Sequence, residues 1–411
     1  MIKREFHELH SSLGTAEHCG FTAIFENGAS VTRQLVFILA AMTVAPVHAA
    51  DVHRATLFKA GDAVYNNYRI PAVIRTKSNS ILAFCEGRQA ASDAGEINLL
   101  VRRSTDGGKT FGLQQLVWAD SKNTCGNPCP VVDESTGTIW LLMTHNLGQD
   151  GEKQITLGAA KSTRTIWITH SNDDGVTWAR PTDITSDVKK PQWAWYATGP
   201  GIGVQLKHGS HAGRLVIPCD YVGLGGAGDQ SNSFVIYSDD HGARWKIGGE
   251  PPDHGFNESQ VVELADGAIM LNMRNVANPQ SRKPRTNRGV ALSSDGGETF
   301  GHARFDDILV EPRCQASILR FSWPDEGKSR ILFSNPASSK DRKRMTVRMS
   351  YDEGKTWPVE KVIFEQFSAY SSLVKLPDGT VGLLYEAGEK KGYERIEFAK
   401  FSLEWLTASA K

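Results

Sequence analysis

Ser350-Tyr-Asp-Glu-Gly-Lys-Thr-Trp357 is the stretch that decides the fold, because it returns four more times. Ser104-Thr-Asp-Gly-Gly-Lys-Thr-Phe111, Ser171-Asn-Asp-Asp-Gly-Val-Thr-Trp178 and Ser293-Ser-Asp-Gly-Gly-Glu-Thr-Phe300 have the same form. Ser238-Asp-Asp-His-Gly-Ala-Arg-Trp245 keeps it except that Arg244 replaces the Thr, which predicts a looser turn there. The pattern is Ser-x-Asp-x-Gly-x-Thr-aromatic. The Asp accepts hydrogen bonds from backbone N–H groups of its own turn, the Gly supplies positive φ, and the aromatic pins the turn to a sheet. In chain order the copies start 67, 67, 55 and 57 residues apart. Self-similarity at that period predicts four-stranded blades arranged in a ring, an all-β propeller.

Short apolar runs fill the intervals. Arg214-Leu-Val-Ile-Pro218, Ser233-Phe-Val-Ile-Tyr237, Ala268-Ile-Met-Leu-Asn272, Arg330-Ile-Leu-Phe-Ser334 and Val381-Gly-Leu-Leu-Tyr385 read as buried strands. Turn signals such as Ala265-Asp-Gly267 and Pro377-Asp-Gly379 separate them. No long helical period and no linker appears, so residues 51–411 are expected to form one domain.

Residues 1–50 read differently. Arg33 precedes the apolar run Leu35–Ala45, and the small residues of Val47-His-Ala-Ala50 follow. That is the layout of a secretory signal peptide, and it predicts a secreted or periplasmic protein. The run is too short for a stable membrane anchor. The polar lead-in Met1–Ser30 leaves two readings open: a long n-region, or a start near Val31. Past Ala50 lie Cys85, Cys125, Cys129, Cys219 and Cys314; export would permit a Cys125–Cys129 disulfide. There is no Cys-x-x-Cys set and no His-Glu-x-x-His, so no metal and no cofactor is expected. The 46 Lys+Arg balance 46 Asp+Glu, which gives no field for nucleic acid. Charge recognition must therefore be local.

An Arg between apolar residues needs an anionic partner. Arg69 in Asn67-Tyr-Arg-Ile-Pro71 is such a residue, and Arg274 and Arg342 sit in similar strands. Three guanidinium groups converging on the axis would clamp a carboxylate. Tyr-Arg-Ile-Pro together with the repeated boxes resembles the exo-sialidase (neuraminidase) family of the bacterial and animal type, over nearly all of residues 51–411.

That resemblance implies a six-bladed β-propeller and an arginine triad of Arg69, Arg274 and Arg342, with Arg344 and Arg348 as rivals for the third place. It implies Tyr370 as nucleophile, Glu258 as its base and Asp93 as acid/base. Arg88 would touch the sugar near its carboxylate and 4-hydroxyl, and Glu386 would pair with Arg69. Asn127 falls where several bacterial members place an Asp near the N-acyl group, and Tyr221, with Tyr196 and Asp220, would line the glycerol arm. The residue types suit the chemistry. The anomeric carbon bears a carboxylate, which repels an anionic nucleophile; a phenol activated by a neighbouring base does not have that difficulty. The implied substrates are sialylated glycoproteins, glycolipids or oligosaccharides. The competing readings are a trans-sialidase and a non-catalytic propeller that binds glycan or protein.

Overall fold

The structure, a computed structural model, describes residues 52–226, 230–276 and 286–408. The apolar run and its signal-peptide reading lie outside the described residues.

After β1 (His53–Lys59), the first blade is β2 (Asn67–Arg75), β3 (Ile81–Arg88), β4 (Ile97–Ser104) and β5 (Gln115–Trp118). The second is β6 (Thr124–Val132), β7 (Ile139–Asn146), β8 (Thr165–Ser171) and β9 (Thr182–Asp183), joined to the first by one parallel bridge, Ile97 to Thr124. The third contains β10 (Trp193–Thr198), the short β11 (Val204–Gln205), β12 (Leu215–Gly223), β13 (Ser231–Ser238) and β14 (Lys246–Ile247). The fourth is β15 (Phe256–Glu263), β16 (Ile269–Asn275), β17 (Asn287–Ser293) and β18 (Arg304–Val310). The fifth starts with β19 (Ser317–Ser322), β20 (Arg330–Pro336) and β21 (Lys343–Ser350).

The long strand β22 (Val359–Lys375) serves two blades. Residues 359–367 pair with β21 as the outer strand of the fifth, and residues 367–375 pair with β23 (Val381–Gly388) as the inner strand of the sixth. β24 (Arg395–Phe401) follows, and β1 completes the sixth blade from the other end of the chain, with His53 opposite Lys400. The inner strands meet around the axis, and β2 touches β22 to close the ring. Helical pieces are short: α1 (Glu152–Thr156), α2 (Thr185–Val188) and α3 (Leu403–Thr407).

The core is accordingly not one mass. Its six large apolar clusters each join a pair of adjacent blades. Leu142 and Ile166 of the second blade pack on Tyr196 and Phe234 of the third, for example, and Val73 of the first packs on Leu384 and Phe398 of the sixth. Strands buried on both faces follow from this, which is why they read as continuous apolar runs.

All five boxes sit between the third and fourth strands of the first five blades. In each, the Ser Oγ donates to the Asp carboxylate, as from Ser104 to Asp106 at 2.8 Å, and the Gly N–H donates back to the Ser Oγ. The Thr donates from both its backbone and its hydroxyl, as in Thr177 to Asp173. At Arg244 the backbone bond to Asp240 survives at 2.8 Å and the hydroxyl bond has no counterpart.

The Gly is required twice over, as Gly242 shows. Its φ is +88°, and a Cβ there would lie 2.2 Å from the Trp140 ring of the preceding blade. Gly175 faces Leu82, Gly354 faces Met270 and Gly108 faces Phe398 in the same way, so each turn is pressed against its neighbour. The sixth blade has no box because it has no hairpin between its last two strands: β1 comes from elsewhere.

Cys125 and Cys129 are both free and buried, against the disulfide the sequence allowed. They face different cores: Cys125 packs between the first and second blades, Cys129 between the second and third.

Candidate active site

A cavity of about 520 Å³ opens at one end of the axis, lined mainly by polar atoms. The inner strands supply its floor, and most of the residues they aim into it sit at breaks in strand register. Pairing slips between Arg69 and Ala72, Gly126 and Cys129, Phe256 and Ser259, and Ser368 and Ser371. A bulge of this kind re-aims side chains, so consecutive residues such as Asn257 and Glu258 both line the cavity. Ile70 (φ +59°) and Asn127 (φ +53°) hold left-handed conformations at two of these breaks.

The Tyr370 hydroxyl donates to Glu258 Oε1, and Arg274 Nη1 donates both to Glu258 Oε2 and, at 3.3 Å, to the Tyr370 oxygen. Burial, followed by the Glu258 charge, drives the Tyr370 pKa well above the usual phenol value. Arg274, Arg342 and Arg69 work against that rise and would favour a phenolate. Arg69 donates Nε–H to Glu386 at 2.7 Å and lies 4.1 Å from the Tyr393 ring centre. Glu386 is completely buried and also accepts the backbone N–H groups of Ile70 and Tyr370, so one carboxylate sets both Arg69 and the strand carrying Tyr370. Arg342 donates to the Tyr393 hydroxyl at 2.8 Å and to the Arg313 carbonyl at 2.7 Å.

Arg69, Arg274 and Arg342 therefore share one wall around Tyr370. Arg344 is half exposed and faces Glu365, and Arg348 pairs with Glu360; neither lines the cavity.

Across from them, Asp93 stands on the loop between β3 and β4 with its side chain 68% exposed. Arg88 donates to it at 2.6 Å and also to Glu86. Burial opposes ionisation of Asp93, but Arg88 outweighs it and holds the carboxyl below its usual range. Asn127 lines the cavity, but its side-chain oxygen already accepts from Arg164 and Thr144.

Tyr221 and Tyr196 are corrections. Neither lines the cavity. The Tyr221 ring stacks on Trp193 at 4.3 Å and its hydroxyl donates to Glu250; Tyr196 is buried between the second and third blades. Their chain neighbours Trp195, Ala197, Asp220 and Val222 face the cavity instead. Alternation along a strand sends the two tyrosines to the other face.

Three cavity residues carried no expectation as site residues or only a passing one. Glu152, at the start of α1, has its pKa raised by burial. Asp220 is buried, and burial followed by the Glu258 charge pushes its carboxyl well above the usual range. Arg164 is the third. Glu152 and Arg164 have no local sequence signature.

Residues 79–383 match the BNR repeat-like domain family. A sialidase of Micromonospora viridifaciens is 40% identical over 83% of this chain and 52% of its own length. An exo-alpha-sialidase of Arthroderma benhamiae is 33% identical over 83% of this chain and 85% of its own. Among solved structures, a Hadza microbial sialidase superposes with a TM-score of 0.74 at 29% identity, covering 86% of this chain and 69% of that one. The chain thus spans about half the length of the Micromonospora relative. With the repeats, the closed ring and the arginine wall in place, these likenesses have one conclusion: the chain belongs to the sialidase family of BNR-repeat β-propellers.

Proposed function

We propose that the protein is an exo-α-sialidase that removes terminal sialic acid from glycoproteins, glycolipids or oligosaccharides with retention of configuration. The observation that carries the reading is the hydrogen bond from Tyr370 to Glu258 inside a wall of three arginines. The arginines take the carboxylate of the sugar. Tyr370 Oη attacks the anomeric carbon as its proton passes to Glu258, and the bond to the aglycone oxygen breaks as Asp93 supplies that oxygen with a proton. Water then attacks the same carbon with Asp93 as base, and the departing Tyr370 recovers its proton from Glu258. Asp93 is exposed on a loop, which lets it turn from Arg88 to the leaving oxygen; leaving Arg88 removes the contact that holds its carboxyl low, so the acid that meets the leaving oxygen can carry the proton it supplies.

The test is the release of umbelliferone from an umbelliferyl α-sialoside by the purified protein, with proton NMR of the first-formed sugar. Release with the α-anomer appearing first supports the reading. No release, or the β-anomer first, overturns it.

Export to the periplasm or medium is part of the proposal, supported by the apolar run and small residues before Asp51. Cell fractionation with N-terminal sequencing tests it, and an uncleaved cytoplasmic chain refutes it.

A further inference from the structure

Two of the three arginines in the cavity wall have a carboxylate of their own. Glu386 pairs with Arg69, and Glu258 pairs with Arg274. Arg342 has none among the described residues. Its hydrogen bonds go to the Tyr393 hydroxyl at 2.8 Å and to the Arg313 carbonyl at 2.7 Å, both neutral acceptors. The wall therefore keeps one unbalanced positive charge, and that charge sits on Arg342. Such a group is hard to hold in place. Its side chain is long and flexible, and the Arg274 charge acts against it.

Tyr393 stands between this arginine and Arg69. Its hydroxyl accepts from Arg342, while its ring centre lies 4.1 Å from the Arg69 guanidinium. The ring is seated against Ile70, Cys314, Ala369 and Tyr370. The turn that carries it, between β23 and β24, is tied down by the Glu394 carboxylate, which accepts the backbone N–H groups of Glu389 and Lys390 at 3.0 Å each. One rigidly mounted side chain thus sets the spacing of two like charges. A carboxylate in its place would also hold Arg342, but it would cancel the charge. A phenol accepts the hydrogen bond and leaves the charge for a ligand.

We propose that Tyr393 is a positioning residue that sets Arg342 against Arg69, so that the unbalanced charge meets the carboxylate of the sugar. The inference rests on the proposed function. Its test is calorimetric binding of 2,3-unsaturated sialic acids, N-acetylated and deaminated, each as the free acid and as the uncharged methyl ester. Turnover of an umbelliferyl α-sialoside is measured alongside. Wild type, Tyr393→Phe, Tyr393→Leu, Arg342→Ala and the Arg342→Ala/Tyr393→Phe double variant are compared, with melting curves as controls.

Tyr393→Phe keeps the ring on Arg69 and removes the acceptor from Arg342. It should raise Kd for the free acid by about five- to tenfold and leave the methyl ester within about twofold. KM should rise by the same factor with kcat nearly unchanged, because the carboxylate is held alike in the ground and transition states. Tyr393→Leu also removes the ring and should weaken the free acid by about threefold more. In the Arg342→Ala background, Tyr393→Phe should add less than about twofold, since the group it positions is gone. An unchanged Kd in Tyr393→Phe overturns the inference. So does equal weakening of acid and ester, as a purely structural residue would give, or a full additional loss in the double variant. If wild type hydrolyses no sialoside but its affinity for the free acid responds to Tyr393→Phe as expected, the inference stands and the hydrolase reading falls. If wild type binds neither acid, both fall.

Discussion

Replacing Asp93 with Ala separates a proton donor from an ordinary loop residue. The structure sets what the change should cost the fold. Asp93 is 68% exposed, and its partner Arg88 keeps Glu86 at 2.7 Å and the Ser92 carbonyl at 2.9 Å, so no buried cation is stranded. The loss is that of an exposed ion pair, about 1 kcal/mol at most, and Tm should fall by no more than about 4 °C. Catalysis should respond on another scale, and unevenly. A natural sialoside expels a sugar alkoxide that needs a proton, whereas an aryl sialoside expels a stable phenolate. Proton donation contributes about 10²–10⁴ in rate, so kcat/KM on sialyllactose should fall by that order and on the aryl substrate by about tenfold or less. Water attack on the tyrosyl intermediate still lacks its base, so the aryl substrate should show a burst of phenolate followed by slow turnover. Equal losses on the two substrates, or a large fall in Tm with proportionate inactivation, would refute the assignment.

Other changes probe other parts. Tyr370→Phe should reduce kcat by about 10³ or more while the binding of a carboxylate-bearing inhibitor changes little; near-normal turnover would mean that the nucleophile is elsewhere. Arg69→Ala should weaken that inhibitor by about 1.5–3 kcal/mol, and more where Glu386 is left unpaired, whereas the exposed Arg344→Ala should cost under about 0.5 kcal/mol by calorimetry. Gly242→Ala forces a methyl onto Trp140 and a side chain onto φ +88°, and should destabilise the fold by about 1–3 kcal/mol in urea titrations. Asp173 has its carboxyl lowered to about 2 by the Thr177 hydroxyl and backbone N–H. A lowered folded pKa contributes stability that is present above the unfolded value near 4 and disappears as pH falls through about 2. Tm should therefore fall between pH 4 and 2, less steeply in Asp173→Asn, and an unchanged slope would contradict this.

The scaffold was legible because the box is local. Its hydrogen bonds close within eight residues, so a one-dimensional pattern carries them. The number of blades was less so, since the sixth has no box and draws its outer strand from β1. Arg69, Glu258, Arg274 and Tyr370 were reachable only through motifs, because strand pairing across the ring brings them together. The two tyrosines show the limit of strand reading: strands β10 and β12 do reach the cavity, but with the opposite phase, and a one-residue shift exchanges faces. Arg164 was invisible for another reason. In Ser162-Thr-Arg-Thr-Ile166 it looks like any strand-entry residue, and what marks it out is supplied by Asn127, Thr144, Asn146 and Trp195 from other segments.

Arg69 and Glu386 are 317 residues apart, and they meet at the seam where β2 passes β22 and β23. Beside that seam β1 zips onto β24. A folding chain must therefore bring its most distant parts together before Glu386 can orient either Arg69 or the backbone of Tyr370. Such non-local pairing is entropically slow, and it comes late. A nascent chain with five finished blades has its repeats, its apolar slabs and most of its hydrogen bonds, yet no working carboxylate clamp. Recovery of turnover during refolding should lag behind the recovery of β-sheet signal, and the lag times the seam directly.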